Sequence, residues 1–304
     1  MTDNDKPLVS VIVPVYNDAQ RLALCLDALE KQSYPALAFE VIVIDNGSDR
    51  SPQEVVDRFG FAKLVVETKA GSYAARNKGL SLAQGEVLAF TDADCLPRPQ
   101  WLEQGVDRLQ ELGGDGGVVA GHIKLFCQDP QRPRGVELYD CMVSLDQQKK
   151  VEQEQVAATG NLFANRRVFD AVGLFDANLM SGGDAEWTQR SVAAGFPLVY
   201  SAEACIDHPA RSSLGQMLCK KRRLVGGDED LRQPEDAKRG AMRLLRIAWN
   251  SFVPRLWRYW NRSKDSRVNG LGQRVRLIGV LLAIQYMTVW EKIRVRLGGK
   301  VERR

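Results

Sequence analysis

The stretch EVLAFTDADCLPRP (Glu86–Pro99) decides the fold, because an apolar run ends there in two carboxylates two residues apart. Asp92 and Asp94 carry like charges, and burying such a pair without a partner is unfavourable. Either both side chains lie in water as part of a loop, or a cation lies between them. On an extended backbone, residues i and i+2 point the same way, so we expect both carboxylates to face one spot. That arrangement suits a hard divalent cation, Mg²⁺ or Mn²⁺, which can hold a diphosphate.

Strand-like and helix-like segments alternate on the N-terminal side of this stretch. Runs rich in Val, Ile and Leu predict strands at residues 8–16, 39–45, 62–68 and 86–92. The segments between them predict helices at residues 18–32, 51–59 and 72–84. Because the strands are apolar on both faces, we expect a parallel sheet covered by helices, with ligands bound beyond the carboxyl ends of its strands.

The alternation is looser on the C-terminal side. Helices are predicted at residues 100–112 and from about residue 184, strands at 116–126 and 197–208, and a strand, turn and short helix within 159–176. The polar stretch from 127 to about 155 is expected to be irregular. From about residue 214 the sequence reads as helical and basic, with a charged, proline-containing linker expected at 228–238.

Composition is ordinary for a folded protein, with 44% hydrophobic and 26% charged residues in 304. The six cysteines contain no C-x-x-C pair, so neither a zinc site nor a disulfide framework is expected, and a reducing cytosol fits best. The chain does not open with a charged and then apolar stretch, so we expect no secretory signal.

Charge is distributed unevenly along the chain. Residues 241–304 hold fifteen Lys or Arg and three acidic residues, a net charge of +12, whereas the first 240 hold 27 basic and 35 acidic residues, a net charge of −8. Arginines alternate with aromatic and apolar residues at 244–262 and 275–297, and the apolar run from 277 to 290 is short for a membrane span, which needs about twenty residues. An anionic membrane surface is the expected partner, and packing on the rest of the protein is the alternative. Nucleic acid is not expected, because no recognition motif accompanies the charge.

Two further residues lie where a ligand of this sheet would bind. Asp45 ends the second predicted strand, and it is interpreted either as an acceptor for a base or ribose edge or as an Asx-turn residue before Asn46 and Gly47. Arg76 lies in the helical segment GSYAARNKGL and has donors suited to phosphate, with a surface helix residue as the alternative. The basic run Lys220–Arg223 either approaches the same diphosphate or begins the basic tail.

Five motifs in this order and spacing resemble the family 2 glycosyltransferases of the GT-A fold, over roughly residues 8–227. They are VSVIVPVYN (9–17), VIVIDNGSD (41–49), AARNKG (74–79), FTDADC (90–95) and GGDAEW (182–187). The resemblance implies an α/β fold of the nucleotide-diphospho-sugar transferase type, with a mostly parallel central sheet flanked by helices. Residues 1–227 would form the catalytic domain, with a nucleotide-binding half at about 8–99 and an acceptor half at about 100–227. Residues 228–304 would form a helical basic extension.

The resemblance also implies roles for residues at the donor site. Asp45 would contact the nucleobase, usually uracil, in a pocket lined by three residues of the first strand end: Pro14, Tyr16 and Asn17. Arg76 would lie near the nucleotide, Asp92 would reach the ribose or the metal, and Asp94 would bind the metal. In related sequences a histidine near position 208 joins the metal or the diphosphate, so His208 is the expected third ligand. Asp207 is its competitor, and a simple turn role is the alternative.

Asp184 is the candidate catalytic base on the same resemblance. Family members often carry Glu-Asp before a helix, whereas this chain has Gly183-Asp184 and so lacks the first carboxylate. An inverting transfer needs one base to take the proton of the acceptor hydroxyl, while cations stabilise the leaving diphosphate. A helix N-cap is the alternative role for Asp184. Glu186 is expected to assist by binding the acceptor, and Trp187 either stacks on an acceptor sugar or lies in the core.

These expectations combine into a metal-dependent, inverting transferase that moves one sugar from a UDP-sugar to a saccharide or lipid-linked acceptor at the cytoplasmic face of the cell membrane. The Q-x-x-R-W motif of processive relatives is absent, which favours transfer of a single sugar. A sugar nucleotidyltransferase is an alternative, but PVYNDAQRL lacks the Gly-rich basic loop it requires after the first strand. A non-catalytic, membrane-associated nucleotide-sugar-binding protein is the other alternative, against which Asp92, Asp94 and Asp184 argue.

Overall fold

A computed structural model of the chain describes residues 6–114, 116–143, 146–230, 259–261, 263–297 and 299, without the side chains of 228–230. The chain divides into two compact units. The first comprises Met1–Lys124, Asp146–Leu179 and Gly183–His208, and the second comprises Leu125–Leu145, Met180–Gly182 and Pro209–Arg304.

The N-terminal elements follow the predicted alternation closely. They are β1 (Val9–Val15), α1 (Ala19–Glu30), β2 (Phe39–Asp45), α2 (Gln53–Val56), β3 (Ala62–Val66), α3 (Ser72–Leu82), β4 (Val87–Thr91), β5 (Leu96–Pro97), α4 (Trp101–Gln110) and β6 (Val118–Phe126). A short 3₁₀ turn, Ala36–Ala38, precedes β2. The C-terminal elements are α5 (Gly135–Val143), α6 (Gln147–Glu154), β7 (Asn161–Asn165), α7 (Arg166–Val172), α8 (Gly183–Ala193), β8 (Leu198–Pro209), α9 (Leu214–Asp230) and α10 (Gly270–Arg296).

One eight-stranded sheet has the order β3-β2-β1-β4-β7-β6-β8-β5. Its first four strands are parallel, as predicted, with Val15 beside Asp45 and Ile12 beside Phe90. The later strands join antiparallel, β7 with β4 and β6, and β5 with β8. Because β1, β2 and β4 run the same way, the loops that follow them leave the sheet at one edge, where a ligand of an open α/β sheet binds.

Burial explains why these segments form these elements. Val9, Val11, Ile12 and Val13 of β1 are fully buried, although they point alternately to the two faces of the sheet. A strand covered on both faces needs an unbroken apolar sequence, and residues 8–16 provide one. On α1 the buried residues are those whose helical spacing predicted the helix: Leu22, Cys25, Leu26 and Leu29.

The prediction of an irregular region at 127–155 was wrong, because α5 and α6 lie there. Both helices bury polar side chains that hide their apolar pattern. In α5, Glu137 is 1% exposed, and its carboxylate accepts hydrogen bonds from the backbone N–H groups of Gln128 (3.0 Å) and Arg134 (2.8 Å). In α6, buried Gln147 donates to the carbonyl of Asn161 at 2.9 Å. Buried polar groups that are satisfied in this way are tolerated, but nothing in the local sequence announces them.

The second unit has a core of its own, built from α5, α9 and α10. Its buried members are Val136, Leu138, Tyr139, Met217, Tyr259, Val268, Leu277, Leu281 and Ile284. The helical character expected of the C-terminal part is confirmed. Of the expected linker, residues 228–230 continue α9, and the rest lies outside the described residues, as does most of the aromatic segment 244–262. The division into functional domains at 227 and 228 stays a prediction, and that boundary falls within α9.

None of the helices in the described part of the chain combines the length and apolar character that crossing a bilayer requires.

A glycine on α4 provides a test of the core of the first unit. A Cβ on Gly105 would lie 2.5 Å from Cε1 of Phe163, which is fully buried and packs on Trp101 with ring centroids 4.8 Å apart. We expect Gly105→Ala to destabilise the protein by about 1–3 kcal/mol, because overpacking outweighs the better helix propensity of alanine. The urea midpoint of unfolding measures the effect.

Gly279→Ala is the matched control, because a Cβ there would have no neighbour within 4 Å on the exposed side of α10. It should leave the midpoint unchanged or raise it slightly. A Gly105→Ala protein as stable as this control would contradict the packing described.

Candidate active site

The loops after β1 and β2 are bound together at the edge of the sheet. Asn17 has a left-handed backbone (φ 51°), a conformation that asparagine tolerates better than most residues. Its side chain donates to the carboxylate of Asp49 at 2.9 Å and accepts from the Asp49 N–H at 2.8 Å. The Asn17 N–H donates to the hydroxyl of Ser48 at 2.8 Å. Asn17 therefore holds the two strand ends in one rigid rim.

Asp45 lies on this rim and is 4% exposed. Its Oδ1 accepts a hydrogen bond from the Ser48 N–H at 2.9 Å, so the turn interpretation is realised in the structure. Pro14 is half-buried and Tyr16 is 42% exposed at the end of β1. The nucleobase contacts implied for these three residues and for Asn17 stay predictions.

Arg76 is a buried residue rather than a surface one. It is 3% exposed, and its Nη2 lies 2.5 Å from Oδ1 of Asp92. Among the described residues its buried Nε has no hydrogen-bond partner, although buried polar groups seldom lack one. The guanidinium also lies 5.8 Å from the ring centroid of Tyr73, one turn earlier on α3. Arg76 thus neutralises Asp92 directly, which answers part of the electrostatic conflict in the sequence.

The two aspartates of TDADC have different partners. β4 ends at Thr91, and the Cys95 N–H donates to the carbonyl of Asp92 at 3.0 Å, which closes a turn. The expectation of an extended backbone here was therefore wrong. Asp92 meets Arg76, whereas Oδ2 of Asp94 lies 3.7 Å from Nε2 of His208 and 3.5 Å from Nη1 of Arg21.

Asp94 and His208 are two members of a group that fits a cation. In the described part of the chain, the ligand atoms of Asp94, Cys95 and His208 all lie within 4.8 Å of one another. Cys95 is the poorest ligand of the three for a hard cation, because thiolates are soft ligands. A carboxylate and an imidazole suit Mn²⁺ and leave its other positions to water or phosphate oxygens. Asp92, expected as a ligand, is not in this group.

Strand alternation on β8 separates the two neighbouring candidates for the third metal ligand. Asp207 and His208 point to opposite faces of the strand. Asp207 forms a bidentate pair with Arg98, with both distances 2.9 Å, while His208 is 6% exposed and faces Asp94. The structure thus brings together the histidine and not its competitor.

Asp184 lies in the first turn of α8, where the helix dipole favours a carboxylate. Its Oδ1 accepts hydrogen bonds from the hydroxyl of Tyr73 at 3.1 Å and from the Ala185 N–H at 3.0 Å. Burial, followed by the negative charge of Asp184, raises the pKa of Tyr73, so the phenol keeps its proton and donates it. Sequence reasoning missed Tyr73, because no local signal connects it to a carboxylate so far along the chain.

Gly183 explains how Tyr73 reaches this position. A Cβ on Gly183 would lie 2.8 Å from Cε2 of the Tyr73 ring. A glutamate, which relatives often carry here, would need that ring to move. The absence of a side chain at Gly183 therefore leaves room for the Tyr73 ring, and so for its hydrogen bond to Asp184.

The prediction that Trp187 stacks on an acceptor sugar was wrong. Trp187 is fully buried, stacks on Phe169 with ring centroids 4.2 Å apart, and donates its indole N–H to the carbonyl of Gly173 at 2.9 Å. Its alternative, a core role, is the one observed. Glu186 binds Arg190 through both carboxylate oxygens, at 2.8 and 3.0 Å, so its acceptor role stays a prediction that requires this pair to open.

The basic run Lys220–Arg223 belongs to the second unit. Lys220 lies 3.3 Å from Oδ1 of the fully buried Asp140, and Nη1 of Arg211 lies 3.1 Å from Oδ2 of the same residue. Burial, followed by the charge of Arg211, lowers the pKa of Lys220 to about 8. Asp140 was not anticipated from the sequence, because the helix α5 that carries it was not predicted.

Comparison with known proteins decides the family. The sequence matches the profile described as Glycosyl transferase family 2 over residues 10–173. Glycosyltransferase AglE of Haloferax volcanii is 38% identical over 226 residues, which are 73% of this chain and 73% of that protein. The chain belongs to glycosyl transferase family 2.

Solved structures support the fold of this family 2 glycosyltransferase. The mannosyltransferase PcManGT of Pyrobaculum calidifontis, solved with GDP-Man and Mn²⁺, has a TM-score of 0.61 at 20% identity and covers 96% of this chain and 88% of its own. S. aureus TarS 1–349 with UDP has a TM-score of 0.53 at 18% identity, over 97% and 93% of the two chains. The predicted family, the GT-A fold and the glycosyltransferase class are therefore confirmed.

Proposed function

We propose that this glycosyltransferase transfers one sugar from a nucleotide-diphospho-sugar, UDP-linked, to a hydroxyl of a saccharide or lipid-linked acceptor, with inversion at the anomeric carbon. The observation that carries the proposal is the convergence of Asp94 and His208 beside the strand ends of a GT-A sheet. The nucleotide-sugar and Mn²⁺ in the PcManGT structure, and the UDP in TarS, support a nucleotide donor and a divalent cation. The choice of UDP rests on the motif resemblance.

Asp94 and His208 would hold the divalent cation, which supplies positive charge to the departing diphosphate. Arg21, 3.5 Å from Asp94, is a second positive group at that carboxylate. Arg76 pairs with Asp92, and this pair supports a role for Asp92 as an acceptor for a ribose hydroxyl. These residues orient the donor and stabilise the charge that develops on the leaving group.

Asp184 would accept the proton of the acceptor hydroxyl as that oxygen attacks the anomeric carbon. Tyr73 holds Oδ1 of Asp184, and Oδ2 accepts no hydrogen bond from the described residues. A carboxylate fixed through one oxygen presents the other to the acceptor with little freedom to rotate. Tyr73 is thus a positioning residue for the base.

Nucleotide release from a panel of UDP- and GDP-sugars, with and without candidate acceptors, tests the proposed function. We expect nucleotide release that depends on the acceptor. NMR of the product should show the anomeric configuration inverted relative to the donor. Nucleotide binding without release from any donor and acceptor would instead support the non-catalytic alternative.

Tyr73→Phe is expected to lower kcat about 10- to 100-fold with little change in the KM for the donor, because a hydrogen bond to a charged group contributes about 1.5–3 kcal/mol. Initial rates at saturating donor and acceptor give the comparison. Tyr34→Phe is the matched control, because this buried tyrosine donates to the Pro7 carbonyl at 2.6 Å. If both variants lost activity equally, the effect would be one of stability and Tyr73 would have no role at the base.

The acceptor and the association with the inner face of the cell membrane belong to this proposal as well. They rest on the basic, aromatic C-terminal sequence.

A further inference from the structure

The helix α10 carries an apolar stripe that is exposed in the described part of the chain. Five large apolar side chains on one side of it are exposed by 38–80%: Leu271, Val275, Tyr286, Trp290 and Leu297. Their spacings of 4, 11, 4 and 7 residues bring them within about 100° of one another around a helix of 3.6 residues per turn. The opposite side of the helix buries Leu277, Leu281 and Ile284 in the core of the second unit. The five side chains of the stripe are thus exposed on the other side, although Val289, five turns after Leu271, is buried at its margin.

Basic residues run along both edges of the apolar stripe. Arg276 and Arg294 are eighteen residues, or five turns, apart and so lie on one edge. Arg274 and Lys292 have the same separation and lie on the other side, between the stripe and the buried face. The one acidic residue of α10, Glu291, is 2% exposed and pairs with Arg294 at 2.5 Å. The outward surface is therefore apolar at its centre, with Arg276, Arg274 and Lys292 supplying the positive charge beside it, while Glu291 compensates the charge of Arg294.

We propose that the apolar stripe of α10 binds the surface of an anionic lipid bilayer, with the helix lying in the headgroup layer. Trp290 and Tyr286 combine an apolar ring with a polar group, which suits that layer. The flanking arginines and lysine meet anionic headgroups, each a favourable interaction near the surface. A second copy of the chain fits less well, because its stripe would bring like-charged rows together. This inference rests on the membrane association included in the proposed function, but binding requires no turnover, so the proposed sugar transfer can fail while the stripe binds lipid, and the reverse.

The test is co-sedimentation of the full chain with vesicles of phosphatidylcholine alone or with added phosphatidylglycerol. We expect binding to the anionic vesicles to be at least about tenfold tighter and to weaken at high salt. The double variant Val275→Asp and Trp290→Asp should lose about tenfold or more in affinity, because it places charge in the apolar centre. Equal binding to neutral vesicles, or no binding, would overturn the proposal.

The matched control replaces two exposed leucines of the first unit by aspartate, Leu24 (57% exposed) and Leu37 (99% exposed). It changes net charge equally and should keep the affinity within about twofold. If the stripe variant binds as tightly as this control, the lipid surface lies elsewhere. If light scattering shows a dimer that the stripe variant converts to a monomer while vesicle binding is unchanged, the stripe is a self-association surface and the proposal fails.

Fluorescence quenching by brominated lipids gives a readout that does not depend on the folding of the double variant. Trp290 is 63% exposed and Trp260 is 40% exposed, whereas Trp101 and Trp187 are fully buried. The wild-type protein should be quenched on anionic vesicles, and Trp290→Phe should remove a large part of that quenching. Undiminished quenching in Trp290→Phe would show that Trp290 does not enter the lipid.

Discussion

Asp184→Asn is expected to lower kcat about 10²- to 10⁴-fold, the range that a general base contributes. Asparagine keeps the shape of the side chain and can still accept the hydrogen bond that Tyr73 donates at 3.1 Å, so the local structure should persist. An amide, however, cannot take the proton of the acceptor hydroxyl. Nucleotide affinity, measured by calorimetry, should remain within about twofold, because Asp184 is proposed to act on the acceptor and not on the donor.

Asp27→Asn, an exposed change on α1, is the matched control and should retain full turnover. A near-normal kcat in Asp184→Asn would place the catalytic base on another residue. A joint loss of turnover and nucleotide affinity would indicate that the change damages the donor site.

Asp94→Asn is expected to weaken nucleotide binding in the presence of Mn²⁺ by about 10²-fold and to lower kcat/KM by at least as much. The physical reason is that a carboxylate is the strongest oxygen ligand in the group with His208, and a metal–diphosphate contact contributes several kcal/mol. EDTA should reduce the wild-type affinity to a similar level, and added Mn²⁺ should restore the wild type only. His208→Ala should also lose nucleotide affinity and the response of that affinity to Mn²⁺, but the loss should be smaller than in Asp94→Asn.

Asp207→Asn provides the control from the same strand, since Asp207 pairs with Arg98 on the opposite face of β8. It should bind nucleotide and respond to Mn²⁺ as the wild type does. Nucleotide affinity that is identical with and without EDTA would remove Asp94 and His208 from the metal role and leave Arg76 and Arg21 as the positive groups near the diphosphate.

Local sequence signals were sufficient to predict the positions of the N-terminal strands. The strands β1, β2, β3 and β4 lie within the predicted runs, because a strand covered on both faces must be apolar throughout. The helices α5 and α6 were missed, because Glu137 and Gln147 are buried and satisfied by backbone groups that the local sequence does not reveal.

The sequence predicted most residues of the candidate site, but it predicted fewer of the contacts between them. Asp94 and His208 were expected together and are found together. Asp92 pairs with Arg76, and a turn that starts at Asp92 replaces the expected extended backbone. Its contact with the ribose or the metal stays a prediction. Trp187 was open between two roles, and only its position against Phe169 assigns it to the core.

The sequence by itself determined the N-terminal succession of strands and helices, the family and most of the chemically able residues, because apolar runs, helical spacing and short motifs are local properties of the chain. Only the tertiary structure decided which of those residues meet. Strand alternation on β8 selects His208 over Asp207, and the absence of a side chain at Gly183 allows Tyr73 to reach Asp184. Such contacts join distant parts of the chain, and they depend on strand register and helix packing, which no single segment specifies.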